Sequence, residues 1–131
     1  MPATLRIRDE TPGSRTFHEW SLEVMTERMT VRELIRSRVY QEVQDFNRRQ
    51  TGDYRGLVQP TDAERTLNGY RLKQPRQINW QGQYERAIEA FESNQVLVLI
   101  NDRQAESLDE EFDVAPGTQV SFLRLTMLVG G

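Results

Sequence analysis

The chain has 131 residues, a formal net charge of -3, one histidine and no cysteine, and this length suits one domain that buries about two-thirds of the surface its unfolded chain exposes. The lack of cysteine excludes disulfides, thiolate zinc clusters and a cysteine nucleophile, and it indicates a reducing, cytoplasmic location. The basic residues are scattered, and there is neither a signal peptide nor an apolar run of about 20 residues, so we expect no nucleic-acid partner and no membrane association.

The first 24 residues predict an antiparallel β-hairpin. Apolar and polar side chains alternate over residues 4–8 and again over 20–24, which is the period of a half-buried strand. A turn-forming cluster lies between them at residues 11–14. Phe17 has the opposite parity, so it marks either a bulge or the start of the second strand.

A capped helix is predicted next. Thr30 and Glu33 have the spacing of a capping box, in which each side chain satisfies a backbone N–H of the other residue. Apolar residues then recur at intervals of three and four from about residue 31 to 50, namely Val31, Leu34, Ile35, Val39, Val43 and Phe46. We expect this stripe to pack against the apolar face of the hairpin.

The next segment is predicted to be an insertion, over about residues 51–94. Glycine and proline interrupt residues 51–79, where no period persists and residues 61–64 favour one short helical turn. A second amphipathic helix is predicted over residues 80–93, because apolar side chains recur there at helical spacing: Tyr84, Ala87, Ile88 and Phe91.

The last third predicts further strands. Residues 96–100 are apolar at every position, residues 101–104 form a turn, and residues 120–125 form the final strand. Pro116 and Gly117 have the placement of a type II turn before that strand. The predicted order of elements is strand, strand, helix, insertion with a second helix, strand and strand. This order predicts an α+β fold.

Candidates for catalytic chemistry are few. His18 stands alone in a predicted strand, so we interpret it as a surface or structural residue. The acidic run at residues 109–111, with Asp113, lacks the spaced oxygen ligands and the glycine of a calcium loop, and it is interpreted as a solvated turn. We therefore predict no catalytic residue, no metal site and no bound cofactor, and a protein that is not an enzyme.

The sequence ends in Gly130 and Gly131. A terminal glycine has no Cβ, so an enzyme can draw its carboxylate through a narrow channel. The preceding segment is uncharged and has no helical pattern, so it can extend into a partner groove, where Met127, Leu128 and Val129 would contact the enzyme. We expect such an end to be the substrate of an enzyme, and the alternatives are a frayed tail or a chain truncated at this point.

The order of elements and the Gly-Gly end resemble the β-grasp fold of ubiquitin and of the sulfur carriers of molybdopterin and thiamine synthesis. The likeness is best in the last third, at residues 99–104, 107–108, 112–114 and 120–123. It implies a ubiquitin-like domain over residues 1–125, with a mixed sheet packed on a helix, an inserted loop and a second helix. A flexible tail over residues 126–131 would follow.

The resemblance implies a bacterial ubiquitin-like protein modifier. An activating enzyme would use ATP to adenylate the Gly131 carboxylate, hold it as a thioester and allow its conjugation to amines of a target. A conjugating enzyme and a metallopeptidase that removes the modifier would be further partners. Two alternatives stay open: a sulfur carrier that uses a C-terminal thiocarboxylate, and a non-conjugated β-grasp interaction module with residues 51–79 as its binding loop.

The chain departs from ubiquitin at Arg103, where ubiquitin carries its main chain-forming lysine. Lys73 is the sole lysine, so self-conjugation would have to use it. Strand parity also predicts that Leu97, Leu99 and Leu123 point outward together as an aliphatic partner-binding face. The alternative is that the second helix covers them.

Overall fold

A computed structural model describes residues 3–11, 17–49, 53–54, 56–60, 63–65, 70–72 and 77–125 of the chain. Over these residues the fold is α+β, with two helices, α1 (Val31–Arg49) and α2 (Trp80–Glu92). The strands are β1 (Ala3–Glu10), β2 (Phe17–Val24), β3 (Arg28–Thr30), β4 (Asp53–Tyr54), β5 (Ala63–Arg65), β6 (Tyr70–Leu72), β7 (Val96–Ile100), β8 (Arg103–Gln104), β9 (Glu111–Asp113) and β10 (Gln119–Arg124).

The main sheet has five strands in the order β2-β1-β10-β7-β8. β1 pairs antiparallel with β2 and parallel with β10, and β10 pairs antiparallel with β7, so the sheet is mixed. The predicted hairpin is confirmed. Phe17 pairs with Glu10 at the end of a regular ladder, so it is the start of the strand and not a bulge.

The core lies between this sheet and α1. Alternate residues of the three central strands are buried on one face, among them Ile7, Val98 and Phe122. The predicted helical stripe, from Val31 to Phe46, is buried against them. Each large aliphatic side chain buried in this way stabilises the fold by roughly 1.5–3 kcal/mol.

The first turn of α1 is satisfied by its predicted capping box and by the loop before β9. Glu33 N–H donates to Thr30 Oγ1 at 3.1 Å, and Thr30 N–H donates to Glu33 Oε1 at 3.1 Å. Val31 N–H and Arg32 N–H donate to the carbonyls of Glu110 and Leu108 at 3.0 and 2.9 Å. These contacts hold α1 to the 105–110 loop.

The insertion contains regular structure that its sequence pattern does not predict. Its short strands form a three-stranded antiparallel sheet in the order β4-β6-β5. The prediction of a helical turn over residues 61–64 is wrong, because Ala63 begins β5, is buried and pairs with Leu72. Strand pairing and burial outweigh the local capping signal there.

The second predicted helix is confirmed as α2, whose N-cap Asn79 accepts from Gln81 N–H and Gly82 N–H. α2 packs beside α1 and touches β7. Asn47, near the end of α1, hydrogen-bonds to Ile78 just before the start of α2. Arg32, in the first turn of α1, and Phe91, in the last turn of α2, line the same groove. The helices are therefore antiparallel.

Two turns of the last third depend on residues with positive φ angles. Gly117 has φ 87°, and Thr118 N–H donates to the Ala115 carbonyl at 3.0 Å, as the predicted type II turn requires. The turn predicted over residues 101–104 is shorter than expected: Asn101 and Asp102 make it, with φ 49° and 69°, and β8 follows. No helix within the described ranges is long and apolar enough to cross a membrane.

Candidate functional site

The last described strand, β10, leads to the C-terminal segment that the sequence predicts to be a tail. Arg124 pairs with Val96, and Leu125 N–H donates to the Gln95 carbonyl at 2.7 Å, so the backbone is held through residue 125. The predicted tail residues Met127, Leu128, Val129, Gly130 and Gly131 lie outside the described residues, and so does Lys73. We call residues 124–125 the tail root.

The insertion contacts the tail root. Arg124 has the parity of Val120 and Phe122, so its side chain lies on the core side of the sheet. Its Nη1 donates to the Gly56 carbonyl at 3.3 Å, and its Nε is buried with no hydrogen-bond partner among the described residues. The sequence pattern does not predict this contact, which joins residues far apart along the chain.

Side chains of α1 fix the insertion at both ends. Glu42 Oε2 accepts from Leu57 N–H at 2.9 Å and from the Tyr54 hydroxyl at 3.2 Å. Asn47 exchanges two hydrogen bonds with the backbone of Ile78, at 3.0 and 2.8 Å. The segment beside the tail root is thereby tied to the core helix.

Glu42 belongs to a buried charged cluster with Asp9 of β1 and Arg38 of α1. Arg38 is 1% exposed and makes a bidentate ion pair with Asp9, with Nη2 2.9 Å from Oδ2, while its Nε donates to Glu42 Oε1. Trp20 Nε1 donates to Asp9 Oδ2 at 3.2 Å. The Arg38 guanidinium also lies 4.4 Å from the ring centroid of Phe122.

The cluster contains two carboxyl groups and one guanidinium. Burial raises the pKa of Glu42, against the opposing charge of Arg38. Burial alone would lower the pKa of Arg38, but the charges of Asp9 and Glu42 outweigh it and raise that pKa. Burial, with the charge of Glu42, also raises the pKa of the Tyr54 hydroxyl well above its ordinary value.

The sequence analysis missed these residues, although a signal was present. Asp9 has the same parity as the buried Leu5 and Ile7, and Arg38 falls inside the apolar stripe of α1, one turn after Leu34. Charged residues at core positions indicate a buried ion pair. Because the cluster is buried, we interpret it as structural.

The predicted aliphatic face lies on the opposite side of the sheet from α1. Leu97, Leu99 and Leu123 are half-buried and alternate with the buried residues of their strands. Leu97 pairs with Leu123, and Leu99 pairs with Ser121, so the three leucines are neighbours. α2 packs beside α1, which is on the other side of the sheet. The face reaches to within two residues of the tail root.

The acidic run at residues 109–111, with Asp113, is only partly the predicted solvated turn, because Glu111 and Asp113 lie in β9 and pair with β3. Acidic side chains of this region engage arginines. Arg103 Nη2 lies 2.6 Å from Glu110 Oε2. The backbone N–H of Glu106, together with Arg103, lowers the pKa of Glu110. Arg28 pairs with Glu111 and Asp113 at 3.6 and 3.3 Å. Within the described part of the chain, no group of three or more His, Cys, Asp or Glu residues could hold a metal ion.

No protein-family model, curated protein or solved structure matches the chain. The candidate site consists of a centrally paired last strand, a tail root that the insertion contacts, and an aliphatic face beside it.

Proposed function

We propose that this protein is a ubiquitin-like modifier with a β-grasp fold, and that its reactive group is the Gly131 carboxylate. The observation that carries the proposal is the position of β10. This strand lies in the centre of a mixed sheet, between β1 and β7, and ends at the tail root, six residues before Gly131. The tail would thus start from a strand that is paired on both sides up to Leu123.

The described architecture supports the fold proposal. An N-terminal hairpin, a capped helix across one face of the sheet and a parallel pairing of the first and last sheet strands agree with a mixed sheet packed on a helix. In this proposal the β-grasp domain spans residues 1–125 and carries an insertion at about 51–94, and residues 126–131 are the tail.

For the proposed reaction, this chain supplies a carboxylate on a tail that is long enough to enter an active site. Partner proteins supply the catalysis. The Gly131 carboxylate attacks the α-phosphate of ATP and releases pyrophosphate, a thiol of the activating enzyme displaces AMP, and a target amine displaces the thiol. Six extended residues span about 20 Å, which lets Gly131 enter a channel while the folded domain stays outside. Met127, Leu128 and Val129 would contact the walls of that channel.

The aliphatic face is proposed as the docking surface for the activating enzyme. Leu97, Leu99 and Leu123 are adjacent and lie beside the tail root, so one partner can engage the face and the tail together. Arg103 is held by Glu110 and cannot serve as an acceptor amine. Self-conjugation would therefore use Lys73, and a conjugating enzyme and a removing metallopeptidase complete the proposed partners.

A sulfur carrier is the second candidate, because residues 125–129 carry no charge, unlike the arginine-rich end of ubiquitin. It shares the adenylate, which a sulfur donor would convert to a thiocarboxylate. If the Gly-Gly end takes part in no reaction, the third candidate is a non-conjugated β-grasp interaction module.

The test is expression of an N-terminally tagged chain in its own cells, compared with its Gly131→Ala and Gly82→Ala variants. We expect tagged species of higher mass that survive boiling and thiol reductant for the wild type and for Gly82→Ala, and their loss for Gly131→Ala. Equal conjugation by Gly131→Ala would contradict the proposal. A wild-type chain that forms no adducts but carries terminal sulfur would favour the carrier.

A further inference from the structure

The two helices carry an aromatic cluster on the side of the molecule away from the sheet. Tyr40 of α1 packs edge-to-face on Trp80 of α2, with ring centroids 5.3 Å apart, and the ring of Tyr84 lies 6.3 Å from that of Trp80. The Arg36 guanidinium carbon lies 5.1 Å from the centroid of Trp80. We call these four residues the helix patch.

The helix patch is fixed before any partner arrives. Gln44 Nε2 donates to the Tyr40 hydroxyl at 2.7 Å, and Trp80 opens α2 directly after the N-cap Asn79. Tyr40 is nevertheless 44% exposed, and Trp80 and Tyr84 are only half-buried. Fixed Trp, Tyr and Arg side chains are the types that supply most binding energy at protein interfaces, because they lose little conformational freedom on binding.

The charge of Arg36 indicates the chemistry of the partner. Some described arginines have carboxylates within ion-pair distance, as Arg8 has Glu19 and Arg32 has Asp109. Arg36 has none among the described residues, although it is exposed and the whole chain is acidic. With its guanidinium carbon over the Trp80 ring, Arg36 keeps N–H donors that suit a carboxylate of a partner.

We propose that the helix patch binds an acidic segment of a partner protein. An Asp or Glu of that segment pairs with Arg36, and an apolar side chain next to it packs on Tyr40 and Tyr84. This surface lies on the helix layer, opposite the aliphatic face of Leu97, Leu99 and Leu123, so it does not depend on the proposed conjugation chemistry.

The test uses a phage-displayed library of random 12-residue peptides, selected on the full chain. We expect enriched peptides to carry Asp or Glu beside an aromatic or aliphatic residue. Synthetic copies should bind Arg36→Gln at least tenfold more weakly than wild type. Arg49→Gln changes an exposed arginine at the end of the same helix that is not stacked, so its affinity should stay within twofold.

Further variants separate binding from folding and from the proposed function. Tyr40→Ala should weaken the same peptides at least fivefold, while Arg36→Gln keeps the urea midpoint of the wild type. Gly131→Ala should bind the peptides like wild type, whether or not conjugation is observed.

Three results of the peptide experiments would overturn the proposal. They are a selection that enriches nothing, peptides that bind equally after Asp and Glu become Asn and Gln, and binding unaffected by Arg36→Gln. A concentration-dependent dimer in sedimentation that Tyr40→Ala abolishes would also overturn it, in favour of a second copy of this chain.

Discussion

Asp9, Arg38 and Glu42 occupy positions that local pattern assigns to apolar side chains. Their burial is tolerated because each charge has an opposite charge and further donors: Trp20 reaches Asp9, and Tyr54 and the Leu57 backbone reach Glu42. Removing one partner of such a cluster leaves the others uncompensated in a dry environment, which costs more than the intact cluster contributes.

Arg38→Met is therefore expected to lower the free energy of unfolding by about 3–5 kcal/mol, because Asp9 and Glu42 lose their shared cation. Urea unfolding followed by tryptophan fluorescence measures the change. Arg48→Met is the control, since Arg48 is exposed at the end of the same helix, and we expect a change within about 0.5 kcal/mol. A stability of Arg38→Met close to that of the wild type would show that the cluster is not a structural element.

The raised pKa of Glu42 gives stability a pH dependence of definite sign. Between the ordinary value of 4.5 and the higher folded pKa, the folded protein binds a proton that the unfolded chain does not. The Glu42 contribution is therefore full below pH 4.5 and is lost as pH rises through the folded pKa, at no more than about 1.4 kcal/mol per pH unit.

Comparison with Glu42→Gln isolates this effect. The variant cannot titrate at this position, so its stability deficit relative to the wild type should shrink as pH rises above 4.5. Urea titrations at several pH values measure the deficit. The control Val43→Ala removes a buried group that does not titrate, and its deficit should stay constant. A Glu42→Gln deficit that grows with pH would contradict the assignment.

At the scale of elements, the sequence predicts the features that depend on neighbouring residues, such as helix caps and turns. The Thr30 and Glu33 cap starts α1 where the sequence places it, and Gly117 adopts the left-handed backbone that its turn requires. The strands of the insertion are not predicted, because β4, β5 and β6 are only two or three residues long and depend on pairing with one another. Ala63 belongs to a strand because of Leu72, its partner nine residues away.

Gly82 of α2 offers a test of helix stability. It is exposed, and an added Cβ would meet nothing within 4 Å, so Gly82→Ala should stabilise the protein by about 0.5–1 kcal/mol through lower backbone entropy in the unfolded chain. Gly117→Ala is the contrasting variant, since φ 87° disfavours a side chain, and it should destabilise. Thermal or urea unfolding decides, and a loss of stability in Gly82→Ala would refute this account of α2.

At the scale of the whole molecule, the three proposed contact regions lie on two sides of the fold. The tail root and the aliphatic face lie together at the sheet, and the helix patch lies across the helix layer. The sequence predicts the aliphatic face because strand parity is a local property. It does not predict the contact between Arg124 and Gly56, which depends on how the insertion folds back to the last strand.

We propose that Gly131 is joined to target amines, and mass spectrometry of material from the protein's own cells detects such a conjugate directly. Arg124 is half-buried and its backbone is paired with β7, so samples are denatured in urea before tryptic digestion. We expect cleavage after Arg124 to leave residues 125–131 as a branch on a target lysine. A protein whose Gly131 never carries a branch in cells that express it actively would contradict the conjugation proposal, and terminal sulfur without a branch would favour the carrier.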